Sequence, residues 1–105
     1  MERPSKSARK AKVGLWRDGE RAKARSLFPL SDAGLEQFFG HLEALRAAHG
    51  CYHDIRHSLH VIRFMGLSEL ETEALLDWCN EHGGFCDCEV AGNTHEYWQI
   101  NRGRA

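Results

Sequence analysis

The sequence predicts a mostly α-helical fold, a compact bundle of about three helices with a short β strand or hairpin near the C-terminus. Two observations carry this. Between Ser31 and Glu81 apolar residues recur at three-and-four spacing in separate runs, the pattern of helices that bury one face. After Gly83 and Gly84 the pattern becomes residue-by-residue alternation, the period of a strand. With 105 residues, 42% hydrophobic and 28% charged, the chain has room for one small domain. Its composition is neither that of a membrane span nor that of a fully disordered chain.

Residues 1–28 read as a basic N-terminal arm, and residues 29–105 as a single helical domain. Residues 1–25 hold nine basic residues against three acids, a balance of +6, and the remaining five bases and twelve acids leave the rest at −7. Between Met1 and Leu27 the large apolar residues are Val13, Leu15 and Trp16. That is too few for a core or for the apolar stretch of a secretory signal, so the expected compartment is the cytoplasm. The arm reads as a solvated leader, disordered or partly helical. Its charge also suits contact with nucleic acid or an acidic protein, and no membrane is expected among its partners.

The first helix of the domain spans about 33–48. Ser31 or Asp32 can accept its first N–H groups, Leu35, Phe38, Phe39, Leu42 and Leu45 share one face, and Gly50 ends it. A second runs from about Asp54 to Met65, with Ile55, Leu59, Ile62 and Met65 on the inner face and Gly66 as its stop. A third starts at Ser68, which forms a capping box with Glu71. Leu70, Ala74, Leu75, Trp78 and Cys79 make its apolar side, Cys79 buried, and Gly83 and Gly84 end it. Phe85 to Val90 then alternate as a short strand or extended loop, with Cys86 and Cys88 on one side and Phe85, Asp87 and Glu89 on the other, where the two carboxylates either hydrogen-bond a ligand histidine or solvate the surface. Gly92 and Asn93 suit a turn, after which Tyr97, Trp98 and Ile100 form a last short strand or pack on the helices.

Two knots of metal-ligating residues stand out, Cys51-Tyr52-His53 and Cys86-Asp87-Cys88. In extended backbone, positions i and i+2 share a face, so each knot presents two donors toward one point. Together Cys51, His53, Cys86 and Cys88 supply the four ligands a closed tetrahedral zinc site requires, and thiolates favour zinc over magnesium or calcium. A domain this small gains from such a staple. His57, one helical turn from His53, is the rival imidazole. The plainer reading makes Cys51 a small buried residue, His53 a helix cap and Cys86 and Cys88 free thiols. In an oxidising compartment Cys51 pairs with one of them as a disulfide.

The run Gly83-Gly84-Phe85-Cys86-Asp87-Cys88-Glu89-Val90, preceded by the Cys51-x-His53 element, resembles a family of small bacterial proteins classed as a domain of unknown function. The resemblance covers about residues 31–93. It implies a compact domain in which Cys51, His53, Cys86, Asp87, Cys88 and Glu89 belong together, with no assigned activity. Members continue after the valine with an aliphatic residue and Asn-Val, whereas Ala91, Gly92, Asn93 and Thr94 follow here.

The function expected is that of a binding or interaction module built on a structural zinc site. The alternative is a metal- or thiol-dependent enzyme with Glu89 or Asp87 as general base. No H-E-x-x-H, nucleophile elbow, P-loop or C-x-x-C motif points to a named reaction.

Overall fold

The computed structural model describes residues 6–102, with side chains from residue 12 onward. Helix α1 (Lys6–Ser26) is followed by α2 (Asp32–His49), α3 (Arg56–Met65) and α4 (Glu69–Glu81). A short α5 (Asp87–Glu89), a π-helical turn (Val90–Thr94) and α6 (His95–Asn101) then run on as one C-terminal helix. No helix among the described residues is long and apolar enough to cross a membrane.

The expected C-terminal strand or hairpin is not there: the described residues are helical from Asp87 to Asn101, with no strand. Cys86 keeps the extended backbone expected of the segment (φ −142°, ψ 170°), and it serves as the cap from which α5 starts. The alternation that suggested a strand spans six residues, too few to outweigh the contacts that Asp87 makes once the chain turns. Gly92 and Asn93 lie inside the π-helical turn rather than in a loop.

The core gathers Leu35, Phe38, Phe39 and Leu42 of α2, Val61 and Ile62 of α3, and Leu75, Trp78 and Cys79 of α4. Val90 and Trp98 of the C-terminal helix complete it. Phe39 is central: its ring lies 4.6 Å from His95, 5.3 Å from Phe38 and from Trp98, and 6.4 Å from Trp78. Helix α2 matches its sequence pattern, with Ser31 Oγ accepting the Gly34 N–H at 3.0 Å and Gly50 at φ 76° closing it. The capping box of α4 is present in both directions at 3.1 Å.

Two buried faces differ from the pattern. In α3 the buried residues are His57, Ser58, Val61 and Ile62, while Leu59 and Met65 of the expected stripe are only partly buried against the core, because the start of the helix is drawn against Asp87. In α4, Leu70 and Ala74 are exposed while Leu75, Trp78 and Cys79 turn inward.

Helix α1 takes up most of the basic arm. It is fastened near its C-terminal end, where Ala24 is buried and Arg25 Nη1 donates to the Asn101 carbonyl at 3.2 Å. At 1.5 Å per residue its 21 residues extend about 32 Å, within a molecule 59 Å long and about 25 Å across. Val13, Leu15 and Trp16 stay exposed along it.

The junction between α4 and the C-terminal helix is tight. The Gly84 N–H donates to the Cys79 carbonyl at 2.7 Å, and the buried Thr94 hydroxyl donates to the Cys79 and His82 carbonyls at 3.4 Å each. The π-helical turn therefore supplies the donors that the last turn of α4 lacks. A Cβ on Gly84 would stand 2.9 Å from the Cys79 carbonyl oxygen and 2.5 Å from Thr94 Oγ1, so only glycine fits. At the far end, Trp98 Nε1 donates to Asp32 Oδ1 at 3.0 Å. Arg102 stacks on the Trp98 ring at 4.1 Å and donates to Asp32 Oδ2 at 2.6 Å.

Candidate functional site

The two knots meet, and Asp87 is what joins them. Its carboxylate is fully buried and accepts the His57 N–H at 3.0 Å, the Ser58 N–H at 2.9 Å and the Ser58 hydroxyl at 2.7 Å. Its own N–H donates to the Asp54 carbonyl at 2.8 Å. Ile55, at the cap position of α3, has no side chain that can accept these N–H groups, and Asp87, 32 positions further on, does so instead. The sequence pattern placed Asp87 on the side away from the thiols, either solvating the surface or bonding a ligand histidine, and not as the cap of α3. The pattern misses it because a carboxylate that caps a distant helix leaves no local trace beyond its position in C-D-C.

This docking sets the C-D-C segment against the loop between α2 and α3. Cys88 and Cys86 thereby lie close enough to Cys51 to influence the ionisation of its thiol. Cys51 ionises below its ordinary value because the Cys88 S–H donates to its sulfur and the His53 backbone N–H adds a second bond. Cys88 is held above its ordinary value as the donor in that pair, although Arg46 Nη2 lies 3.8 Å from its sulfur and pulls the other way. The Glu89 backbone N–H draws Cys86 down, but burial and the Glu89 carboxyl outweigh it and the thiol sits above its ordinary value.

His53 stands apart. It takes a left-handed backbone (φ 61°) with an exposed side chain, so the extended geometry that would turn it to the same side as Cys51 is absent. The loop is ordered instead by Arg56, which grips Asp54 through contacts of 2.8–3.0 Å, holds that carboxyl below the usual range and stacks 4.1 Å over the Tyr52 ring. His57 is buried, and its Nε2 lies 2.9 Å from the Gly50 carbonyl oxygen. Since a carbonyl only accepts, Nε2 carries the proton there and Nδ1 keeps its lone pair in the neutral ring. Among the described residues no three His, Cys, Asp or Glu side chains are arranged, as they stand, to hold a metal ion.

Cys79 lies away from this cluster, 2% exposed in the core, where burial pushes its thiol up to about 12.

A family described as protein of unknown function (DUF2695) matches residues 38–93, which include both knots and end just before Thr94. The chain belongs to this family. The stretch matched leaves out α1 and all of α6. Proteins of Mycobacterium bovis and of two strains of Mycobacterium tuberculosis, each named only as an uncharacterised protein, are similar to it at 28% identity over 91 residues. That alignment covers 87% of this chain and 89% of each relative. No solved structure matches the chain.

Proposed function

We propose that this chain is a small interaction domain stapled by one zinc ion, with Cys51, Cys86 and Cys88 as thiolate ligands and an imidazole as the fourth. What supports this reading is the docking of the Cys51 loop and the start of α3 against the C-D-C segment, two cysteine-bearing stretches some 35 residues apart in the chain, bridged by a buried carboxylate. Three soft donors suit zinc, which closes structural sites at four ligands. His53 is the fourth ligand by spacing. His57 is the better supported, because ligating histidines commonly donate their other ring N–H to a backbone carbonyl, as His57 does to Gly50. On this reading the donors close around the ion when it binds, and the G-G-F-C-D-C-E-V run is the mark of the site in the family.

Structural zinc supplies on the order of 10–16 kcal/mol of apparent binding energy that appears only in the folded chain, which is large for a domain of this size. The thiols need a reducing compartment such as the cytoplasm to stay available. The basic helix α1 is then the surface that meets an acidic partner, protein or nucleic acid.

Metal analysis of protein purified without chelator tests the site. The expected content is one equivalent of zinc, lost in Cys86→Ser and His57→Ala and kept in His53→Ala. A folded protein with no metal under those conditions removes the reading. A thiol- or metal-dependent enzyme is the second reading, favoured by the Arg46 guanidinium beside Cys88. A cobalt-substituted protein whose spectrum reports an exchangeable water ligand would move the assignment there.

A further inference from the structure

Helix α4 carries Glu69, Glu71, Glu73, Asp77 and Glu81 and no basic residue. Among the described residues none of these five acids is in an ion pair. At its N-terminal end the helix helps to form an open groove of about 580 Å³, walled by Leu67, Leu70 and Leu76 and edged by Glu69 and Glu73. Leu70 is 80% exposed.

The opposite character lies on α1. Lys12, Arg17 and Arg21 are free of ion pairs among the described residues, and they alternate with Val13, Leu15 and Trp16, the last two 72% and 66% exposed. This stretch stands about 12 Å from the Ala24 anchor, counting eight residues at 1.5 Å. An aromatic flanked by cations and a leucine groove flanked by carboxylates are thus both open on the same molecule.

We infer that the groove at the start of α4 receives the Trp16 stretch of α1 from a second copy of this chain, with Lys12 and Arg17 meeting Glu69 and Glu73. The charge balance of +6 on residues 1–25 against −7 on the remainder makes the chain complementary to itself in trans. A two-fold dimer makes this contact twice, which brings a small groove toward the area that stable association requires. The inference rests on reading the chain as an interaction module, and it names the acidic partner of α1.

Sedimentation of the full-length chain at low and high salt tests it. The expected result is a dimer at low salt that dissociates as salt rises. Trp16→Ala and Leu70→Glu each raise the dimer dissociation constant by about tenfold or more, with the helical signal unchanged. Glu69→Lys with Glu73→Lys does the same, and adding Lys12→Glu with Arg17→Glu restores association. A monomer at every concentration and salt overturns the inference, as does a dimer indifferent to Trp16 and Leu70. A monomer that binds a fluorescent DNA or RNA oligonucleotide through α1 also overturns it and gives the helix a nucleic-acid partner. The zinc content of each variant stays that of the unaltered protein, so a failed dimer and a failed metal site are told apart.

Discussion

Replacing Asp87 with alanine removes the acceptor of two backbone N–H groups and one hydroxyl in a site closed to water. The Ser58 hydroxyl can rotate toward another acceptor, but the N–H groups of His57 and Ser58 are fixed by the first turn of α3. Each buried donor left without a partner costs about 1–3 kcal/mol, so the two amides together imply about 4 kcal/mol. For a domain of about 100 residues that is a fall in Tm of about 15–30 °C and a large part of the whole stability. Thermal and urea unfolding followed by circular dichroism, with EDTA in every sample, measures this independently of any metal. Ser58→Ala, which loses only the hydroxyl bond, is expected to cost about 1 kcal/mol. In the Asp87→Ala background the same change is expected to cost close to nothing, since the bond it removes is already gone. An Asp87→Ala variant within about 0.5 kcal/mol of the parent, the range of an ordinary surface change, would refute the role given to this carboxylate.

Gly84→Ala sets a methyl 2.9 Å from the Cys79 carbonyl, backbone that cannot retreat, and is expected to cost about 3 kcal/mol in the same unfolding experiments. An unchanged Tm would mean that the junction opens more easily than its contacts indicate. Cys79, with its thiol pushed up to about 12 by burial, is expected to resist iodoacetamide in the folded protein and to react only after denaturation. Cys51 should be alkylated first in metal-free protein, and mass spectrometry of the digest reads the order directly. His82 stacks on Tyr97 at 3.7 Å, and burial lowers its pKa from the ordinary value, with Glu81 opposing. Its contribution to stability is therefore complete above its unfolded pKa of about 6.5 and is lost as pH falls through the lower folded value. The drop in Tm between about pH 7.5 and pH 5 should be smaller in His82→Gln than in the parent. Equal drops would exclude His82 as a source of acid sensitivity.

The parts of the fold that are legible in the sequence are those written in local chemistry. Ser31 and Gly50 bound α2, and Ser68 with Glu71 starts α4, because caps act within a few residues of the groups they satisfy. That the Cys51 loop and the C-D-C segment lie against each other was also legible, since ligand-type residues in two compact knots suggest that the segments belong together. The C-terminal third was not. Its helix is decided by contacts to residues 15 to 66 positions away: Asp87 to α3, Thr94 to α4 and Trp98 to Asp32. Against those, a six-residue alternation counts for little. The backbone at His53 departs from the expected regular i, i+2 geometry for a related reason: Gly50 and His53 both adopt positive φ, so the loop coils.

The π-helical turn at Val90–Thr94 fixes an angular phase. Each residue of an α-helix turns the chain by about 100°, so deleting one residue to regularise this turn would rotate everything beyond it by about that angle. Asp87 would keep its grip on α3, while the Trp98 indole would swing out of register with Asp32 and Phe39. The wide turn is the coupling that lets one helix end be locked at the thiols and the other in the core. Length variation between those two locks is therefore expected to be far less tolerated than substitution at Gly92, whose added methyl would enter open space.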